Sequence, residues 1–150
     1  MRSTLFVVHN SSDPRQNLAT QFVARLSERP VDAFDPASSA GAMQPPAGPD
    51  DPRSRAVRDD LLGRFERAAK MLVLIGENTH LEPWVAWQIK AFYDLKDAQF
   101  RPNTWKCIRG FRLRGCDQAA LPPALDGTST RASKWDPETM EEWLDREIEV

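Results

Sequence analysis

The stretch "MLVLIGENTHLEPWVAWQI" (residues 71–89) decides the fold, because it joins an apolar run to a polar loop and a tryptophan-rich segment. "MLVLI" (71–75) has no polar alternation, which is typical of a parallel strand covered on both faces. "GENTHLE" (76–82) is dense in hydrogen-bonding side chains. The spacing that follows predicts a helix from about Pro83 to Asp97.

The same order of strand, polar loop and helix opens the chain. "TLFVVH" (4–9) predicts a buried strand. Asp13 is placed to cap the next helix, Pro14 suits its first position, and Gln16 is placed to reach back as in a capping box. The predicted packing face of that helix is Leu18, Phe22, Val23 and Leu26.

Further elements alternate in the same way. We expect a weaker, edge strand at 31–35, a helix at 54–70 and a strand at 105–113. "DPETMEEWLDREIEV" predicts a final helix capped by Asp136. The expected packing face of this helix is Met140, Trp143, Leu144 and Ile148.

The segment 36–53, "PASSAGAMQPPAGPDDPR", holds five of the twelve prolines among Ala, Gly and Ser. This composition predicts a mobile loop, because it offers little apolar surface to bury. Long loops in compact domains are either functional lids or disordered, and both interpretations stay open.

Strands that alternate with helices predict a single three-layer α/β domain with a mostly parallel, flavodoxin-like sheet, and 150 residues suit one such domain. In that order the first and third strands are neighbours, and a cleft opens between their carboxyl ends. The loops "HNSSD" (9–13) and "GENTH" (76–80) would lie there. We therefore expect a ligand at this edge of the sheet.

Composition excludes several classes of protein. A net charge of −2 gives no reason to expect nucleic-acid binding, and the basic cluster "IRGFRLRG" (108–115) is expected to be a solvated strand edge. No apolar run approaches the roughly 20 residues needed to span a bilayer, so we expect no membrane association and a cytoplasmic location. With two Cys and two His we expect no metal site, and we expect free thiols at Cys107 and Cys116.

The residues 71–89 also resemble a known family. "VLIGENTHLEPWVAWQI" is similar to the third strand, loop and following helix of Toll/interleukin-1 receptor (TIR) domains, above all the bacterial TIR-like proteins of the Thoeris anti-phage system. "LFVVHNSSD" resembles their first strand and loop. The resemblance extends from Leu5 to about Phe92, apart from the proline-rich segment, whereas the second half of the chain matches only in its order of elements.

The resemblance implies an NAD hydrolase or ADP-ribosyl cyclase that releases nicotinamide and an ADP-ribose-type signal in anti-phage defence. NAD would be its substrate, and no other cofactor is implied. It further implies a homo-oligomer formed through TIR contacts, a phage protein as trigger and a downstream effector that responds to the product.

The family's catalytic glutamate lies four residues after the motif tryptophan, here Trp84, and that position is Gln88. Gln keeps the shape of Glu and one acceptor, but it lacks the charge that stabilises an oxocarbenium-like ribose. Three explanations stay open: an engineered Glu-to-Gln change, a natural member that kept binding and lost catalysis, or a core amide in a protein that shares only the fold.

Other residues at the expected cleft have competing roles. Asn10, Ser11 and Ser12 could bind a pyrophosphate or ribose, or Ser12 could merely share the helix cap with Asp13. His9 could pack beside the nicotinamide or simply end its strand. Asn78 and Thr79 could shape the site or only the turn, and Trp84 could be a cleft wall or core.

Two functions compete with NAD cleavage. A catalytically silent TIR-like binding or adaptor module would act through protein contacts and would have no affinity for NAD. A nucleoside deoxyribosyltransferase-like enzyme has a similar fold and also cleaves N-glycosidic bonds with a carboxylate. A Gly-rich phosphate loop and a G-x-S-x-G elbow are both absent from the sequence.

Overall fold

A computed structural model describes residues 4–10, 13–34, 48–101, 104–127 and 132–146. Within these ranges the chain builds a sheet flanked by helices on both faces. In the part of the chain described, no helix is both long and apolar enough to cross a membrane.

The described strands form one parallel sheet in the order β2-β1-β3-β4-β5. The strands are β1 (Thr4–Val8), β2 (Val31–Ala33), β3 (Ala68–Ile75), β4 (Ile108–Arg112) and β5 (Ala132–Ser133). Because β1 and β3 are neighbours and the chain departs from them in opposite directions across the sheet, the strand order reverses between them. The predicted flavodoxin-like α/β fold is confirmed, and β2 is an edge strand as expected.

The helices cover the sheet in two layers. They are α1 (Pro14–Ser27), α2 (Arg55–Arg67), α3 (Pro83–Phe100), α4 (Pro123–Gly127) and α5 (Pro137–Asp145), with 3-10 turns at Pro52–Ser54, Thr79–Leu81 and Thr104–Cys107. Alternate residues of β1 separate the layers: Leu5 and Val7 face α1 and α5, whereas Phe6 and Val8 face α2, α3 and α4. The sheet is therefore covered on both faces, which explains its unbroken apolar strands.

Four expectations about these elements need correction. The helix expected at 54–70 ends at Arg67, because residues 68–70 already belong to β3. Val23 of the expected packing face of α1 is buried, but Leu18 is 65% exposed, because the buried residues of this helix are Gln16, Ala19, Val23 and Ser27. The basic cluster is no strand edge, since β4 pairs with a strand on each side and Arg109 donates to Ser133 Oγ at 2.5 Å. The strand expected at 105–113 begins only at Ile108, after a 3-10 turn.

The structure describes residues 48–53 of the proline-rich segment. Residues 36–47 lie outside the described ranges. The end of the segment is ordered into a 3-10 turn, Pro52–Ser54, where the Asp51 carboxylate accepts from the Arg53 N–H at 2.8 Å. Among the other expectations, Cys107 and Cys116 are both buried free thiols, and Ile148 lies outside the described residues.

The final helix is attached to the sheet by a buried lysine. Lys70 of β3 donates through Nζ to the Trp143, Leu144 and Arg146 carbonyls at the end of α5, the last two at 3.2 and 2.5 Å. Arg29 donates to the Leu144 carbonyl at 2.5 Å. Cations at a helix C-terminus are favourable, because the last carbonyls have no partner within the helix. Lys70 and Arg29 therefore hold the end of α5 at the amino end of the sheet.

Burial lowers the pKa of Lys70 to about 8, and the nearby Arg29 and Arg146 charges act in the same direction. In the unfolded chain the amine keeps its proton up to about pH 10.5. Between these values the unfolded state binds more protons, so this group makes the free energy of unfolding rise with pH. Below about pH 8 both states are protonated and the contribution is constant.

We expect Lys70→Met to remove this rise. Urea denaturation at pH 8, 9 and 10 should show the stability of the native chain increasing relative to that of the variant. Lys134→Met, at an exposed position, is the control and should track the native chain at every pH. A difference between native chain and Lys70→Met that does not change with pH would contradict this account.

Candidate functional site

A buried glutamine joins the two loops that follow β1 and β3. Gln16 is only 1% exposed; its Oε1 accepts from the Asn10 N–H at 2.6 Å, and its Nε2 donates to Thr79 Oγ1 at 3.0 Å. Thr79 Oγ1 also accepts from the Gly76 N–H at 2.9 Å. One side chain thus sets the spacing of both loops at the carboxyl edge of the sheet.

The sequence signature at the start of α1 is partly confirmed. Asp13 caps the helix, since its carboxylate accepts from the Arg15 N–H at 3.0 Å, and Pro14 takes the first turn. Gln16 does not complete a capping box, because its amide oxygen is taken by Asn10 across the loop. The capping pattern therefore identified the helix start and assigned Gln16 the wrong partner.

Gly76 is required by this close approach of the loops. A Cβ at residue 76 would lie 2.7 Å from Gln16 Nε2 and 3.4 Å from the Asp13 carboxylate. Real Cβ atoms essentially never lie within 3.0 Å of another atom, so the 2.7 Å approach to Gln16 Nε2 is excluded. Any larger residue there would force the Gln16 amide out of its position between the loops.

The two loops and the start of α3 enclose a pocket of about 400 Å³. It lies where the strand order reverses, between the carboxyl ends of β1 and β3. Open parallel sheets bind ligands at such a point. The pocket is lined by polar groups and one proline: Asn10, Asp13, Pro14, Arg15, Gln16, Glu77, Asn78 and Glu82.

The structure brings only part of the predicted site together. Asn10 and Asn78 line the pocket. His9 and Thr79 are buried and do not line the pocket, and the Thr79 hydroxyl accepts from the Gln16 side chain and the Gly76 N–H. Ser11 and Ser12 lie outside the described residues.

Trp84 and Gln88 are buried and are not among the residues that line this pocket. Trp84 packs against Phe34, with ring centroids 5.0 Å apart, and against Trp87 at 5.7 Å. Gln88 is 2% exposed, and its Nε2 donates to the Trp84 carbonyl at 3.0 Å. Along α3, Gln88 lies about 9 Å beyond the pocket residue Glu82, at roughly 1.5 Å per residue.

The Gln88 side chain has one unused polar atom. Its Oε1 is buried and has no hydrogen-bond partner among the described residues. A buried acceptor without a donor costs about 1–3 kcal/mol. The amide suits its surroundings better than a carboxylate would, because only the amide can donate to the Trp84 carbonyl.

The sequence interpretation missed four pocket residues: Arg15, Gln16, Glu77 and Glu82. Gln16 and Arg15 were available as signals, since they open the helix that follows the first loop. Glu77 and Glu82 belong to the polar stretch 76–82, where the sequence pattern indicated no role for these two residues, and both line the cavity while Glu77 stays exposed. Among the described residues, no cluster of His, Cys, Asp or Glu is arranged to hold a metal ion.

No protein-family model matches the sequence, and no curated protein matches it. A conserved protein from Enterococcus faecalis V583 has a similar structure, with a TM-score of 0.55 and 13% identity over 96% of this chain and 98% of the other. The flavoenzyme NAD(P)H:(acceptor) oxidoreductase FerB from Paracoccus denitrificans gives a TM-score of 0.44 at 18% identity, over 89% of this chain and 75% of FerB. The first likeness concerns the fold alone, and the second is too low to carry an argument.

We expect Gln16→Ala to lower the free energy of unfolding by about 2 kcal/mol or more, because the Asn10 N–H loses its acceptor and Thr79 loses a donor in a buried place. Urea denaturation measures the change. Gln21→Ala, at an exposed position of the same helix, is the matched control and should stay within about 0.5 kcal/mol of the native chain. Equal losses in both variants would show that the bridge does not contribute to stability.

Proposed function

We propose that this chain is a TIR-like protein of the NAD-consuming anti-phage type, which binds NAD or an ADP-ribose derivative in the pocket between the ends of β1 and β3. In this proposal Gln88 occupies the catalytic glutamate position, so the chain cleaves NAD slowly or not at all. A cytoplasmic location, self-association through TIR contacts, a phage protein trigger and a downstream effector of the product belong to the same proposal.

The observation that carries the binding proposal is the position and lining of the pocket. It lies at the reversal point of a parallel sheet, where the loops of such folds meet their ligands. Its volume of about 400 Å³ falls in the range of small-molecule sites. The amides of Asn10 and Asn78 offer both donors and acceptors to a ribose or a carboxamide.

The catalytic part of the proposal depends on the motif spacing between Trp84 and Gln88. Cleavage of the nicotinamide–ribose bond develops positive charge on the sugar, and a neutral amide cannot stabilise that charge as a carboxylate does. The buried amide of Gln88 also donates to the Trp84 carbonyl, so its nitrogen is already engaged. Both features favour binding over turnover.

The burial of Gln88 also favours the alternative of a catalytically silent module that works through protein contacts. Gln88 does not line the pocket, and its side chain packs beneath the Trp84 turn. The two functions differ in one measurable property, which is affinity for NAD. Catalytic silence alone does not separate them.

We expect isothermal titration calorimetry to detect NAD binding to the native chain. Asn78→Ala should weaken the affinity, because it removes a polar group from the pocket wall. Gln99→Ala, on the exposed surface of α3, is the control and should bind like the native chain. Absence of binding by NAD and by ADP-ribose would reject the NAD proposal and favour the adaptor alternative.

We expect Gln88→Glu to raise the rate of nicotinamide release by about 10²–10³, the usual value of one preorganised electrostatic group. The same change should lower stability, because a carboxylate cannot donate to the Trp84 carbonyl. Chromatography of NAD incubated with the variant measures release, and a thermal melt checks that the variant is folded. A folded variant as inactive as the native chain would contradict the catalytic role of position 88.

A further inference from the structure

Two lysines are buried within the described ranges, and their amines have different surroundings. Lys70 is 4% exposed, and its Nζ donates to three carbonyl groups at the end of α5. Lys96 is 6% exposed, yet its Nζ makes no hydrogen bond and no ion pair with the residues that the structure describes. It lies over the Phe92 ring, 5.4 Å from the ring centroid. Lys96 therefore lacks the acceptors that give Lys70 a structural role.

Lys96 lies far from the candidate crevice. Along α3 it is about 21 Å beyond the pocket residue Glu82, at roughly 1.5 Å per residue. The turn Thr104–Cys107 is attached to this end of the helix, since Thr104 Oγ1 donates to Asp97 Oδ1 at 2.8 Å. The amine therefore belongs to a second region of the molecule, at the amino end of the sheet.

The surroundings of Lys96 favour its uncharged form. An ammonium group removed from water without a counter-ion loses its hydration and gains no compensating charge. Burial accordingly lowers the pKa of Lys96, and Cys107 and Glu66 oppose this shift without cancelling it. Burial raises the pKa of Cys107 to about 11, so the thiol is uncharged at pH 7. Glu66 is exposed on α2, where solvent screens its charge.

We propose that Lys96 is a nucleophilic amine that binds small carbonyl compounds covalently as an imine. The unprotonated Nζ supplies the electron pair that attacks the carbonyl carbon. The carbonyl oxygen and both amine hydrogens then leave as water, so a C=N bond forms and no oxidant or reductant is consumed. Buried lysines with an apolar environment are suited to this chemistry. The narrow exposure of Lys96 restricts the ligand to a short aliphatic aldehyde, and the inference does not depend on NAD binding.

Reductive trapping on the native chain tests this directly. Propanal and sodium cyanoborohydride at pH 7 convert each imine into a stable propylamine, and peptide mass spectrometry measures the product at each lysine. We expect Lys96 to be labelled about fivefold faster or more than the exposed Lys134, because a larger fraction of its amine is unprotonated. In concentrated urea, where burial is lost, the two lysines should react at equal rates.

The pH dependence of the labelling separates protonation from other causes of reactivity. An exposed lysine loses its proton near pH 10.4, so the advantage of Lys96 over Lys134 should shrink as the pH rises from 7 towards that value. Labelling of Lys96 at pH 7 that is no faster than that of Lys134 would overturn the inference. A rate ratio that stays constant with pH would overturn it as well.

Lys96→Met removes the amine and keeps a side chain of similar length. Because it also removes a buried ammonium without a counter-ion, urea denaturation should show a stability equal to or above that of the native chain. Lys134→Met is the matched control and should leave the labelling of Lys96 unchanged. A clear loss of stability in Lys96→Met would contradict the inference, because the fold would then require the charged amine. The labelling of the native chain decides the question even where the variant fails to fold.

Discussion

The Gln16 amide is the contact on which the candidate site depends. The sheet brings β1 and β3 side by side, but pairing of strands leaves the loops beyond their ends undetermined. Gln16 fixes both loops at once, since it accepts from Asn10 and donates to Thr79. Gly76 permits this approach because it has no Cβ in the space that the amide occupies. The pocket is what remains between the loops after this contact is made.

The two ends of the sheet are chemically different. At the amino end, Lys70 and Arg29 satisfy the last carbonyls of α5, so the cations there serve the fold. At the carboxyl end, Glu77 and Glu82 are among the residues that line the cavity, and the Glu82 carbonyl accepts from the Val85 and Ala86 N–H groups at the start of α3. The cations at the amino end satisfy carbonyls that the helix leaves without partners, although burial lowers the pKa of Lys70, whereas the carboxylates at the other end line a concave surface and are candidates for recognition.

Much of the fold could be predicted from the sequence because burial on both faces leaves a strong pattern. The run 71–75 lies within β3, and the cap at Asp13 and the prolines that follow the caps marked helix starts correctly. The edge strand β5, two residues long, and the short helix α4 escaped prediction because such elements hold too few residues to show a period. Leu18 was wrongly placed on the packing face of α1, because an apolar residue does not by itself show which side of a helix faces the sheet.

The position of the pocket agrees with the expected cleft, whereas its lining residues were predicted only in part. The two loops were located correctly, because the strand order alone determines which ends meet. Side-chain direction was not determined: Gln88 shares a helix face with Trp84, and that face packs inward in the structure. Glu82 lies in the same stretch and reaches the cavity. Packing decides that Glu82 and not Gln88 lines the cavity. The local sequence does not encode this difference.

Amide chemical shifts during a titration with NAD⁺ test most directly whether the crevice held by Gln16 is the ligand site. In a ¹H–¹⁵N spectrum of the native chain, the largest changes should fall on Asn10, Gly76 and Asn78, with little change at Lys70 or Trp143 on the far side of the sheet. Changes centred on α5 or β5 would contradict the account, as would a spectrum that NAD⁺ leaves unaltered.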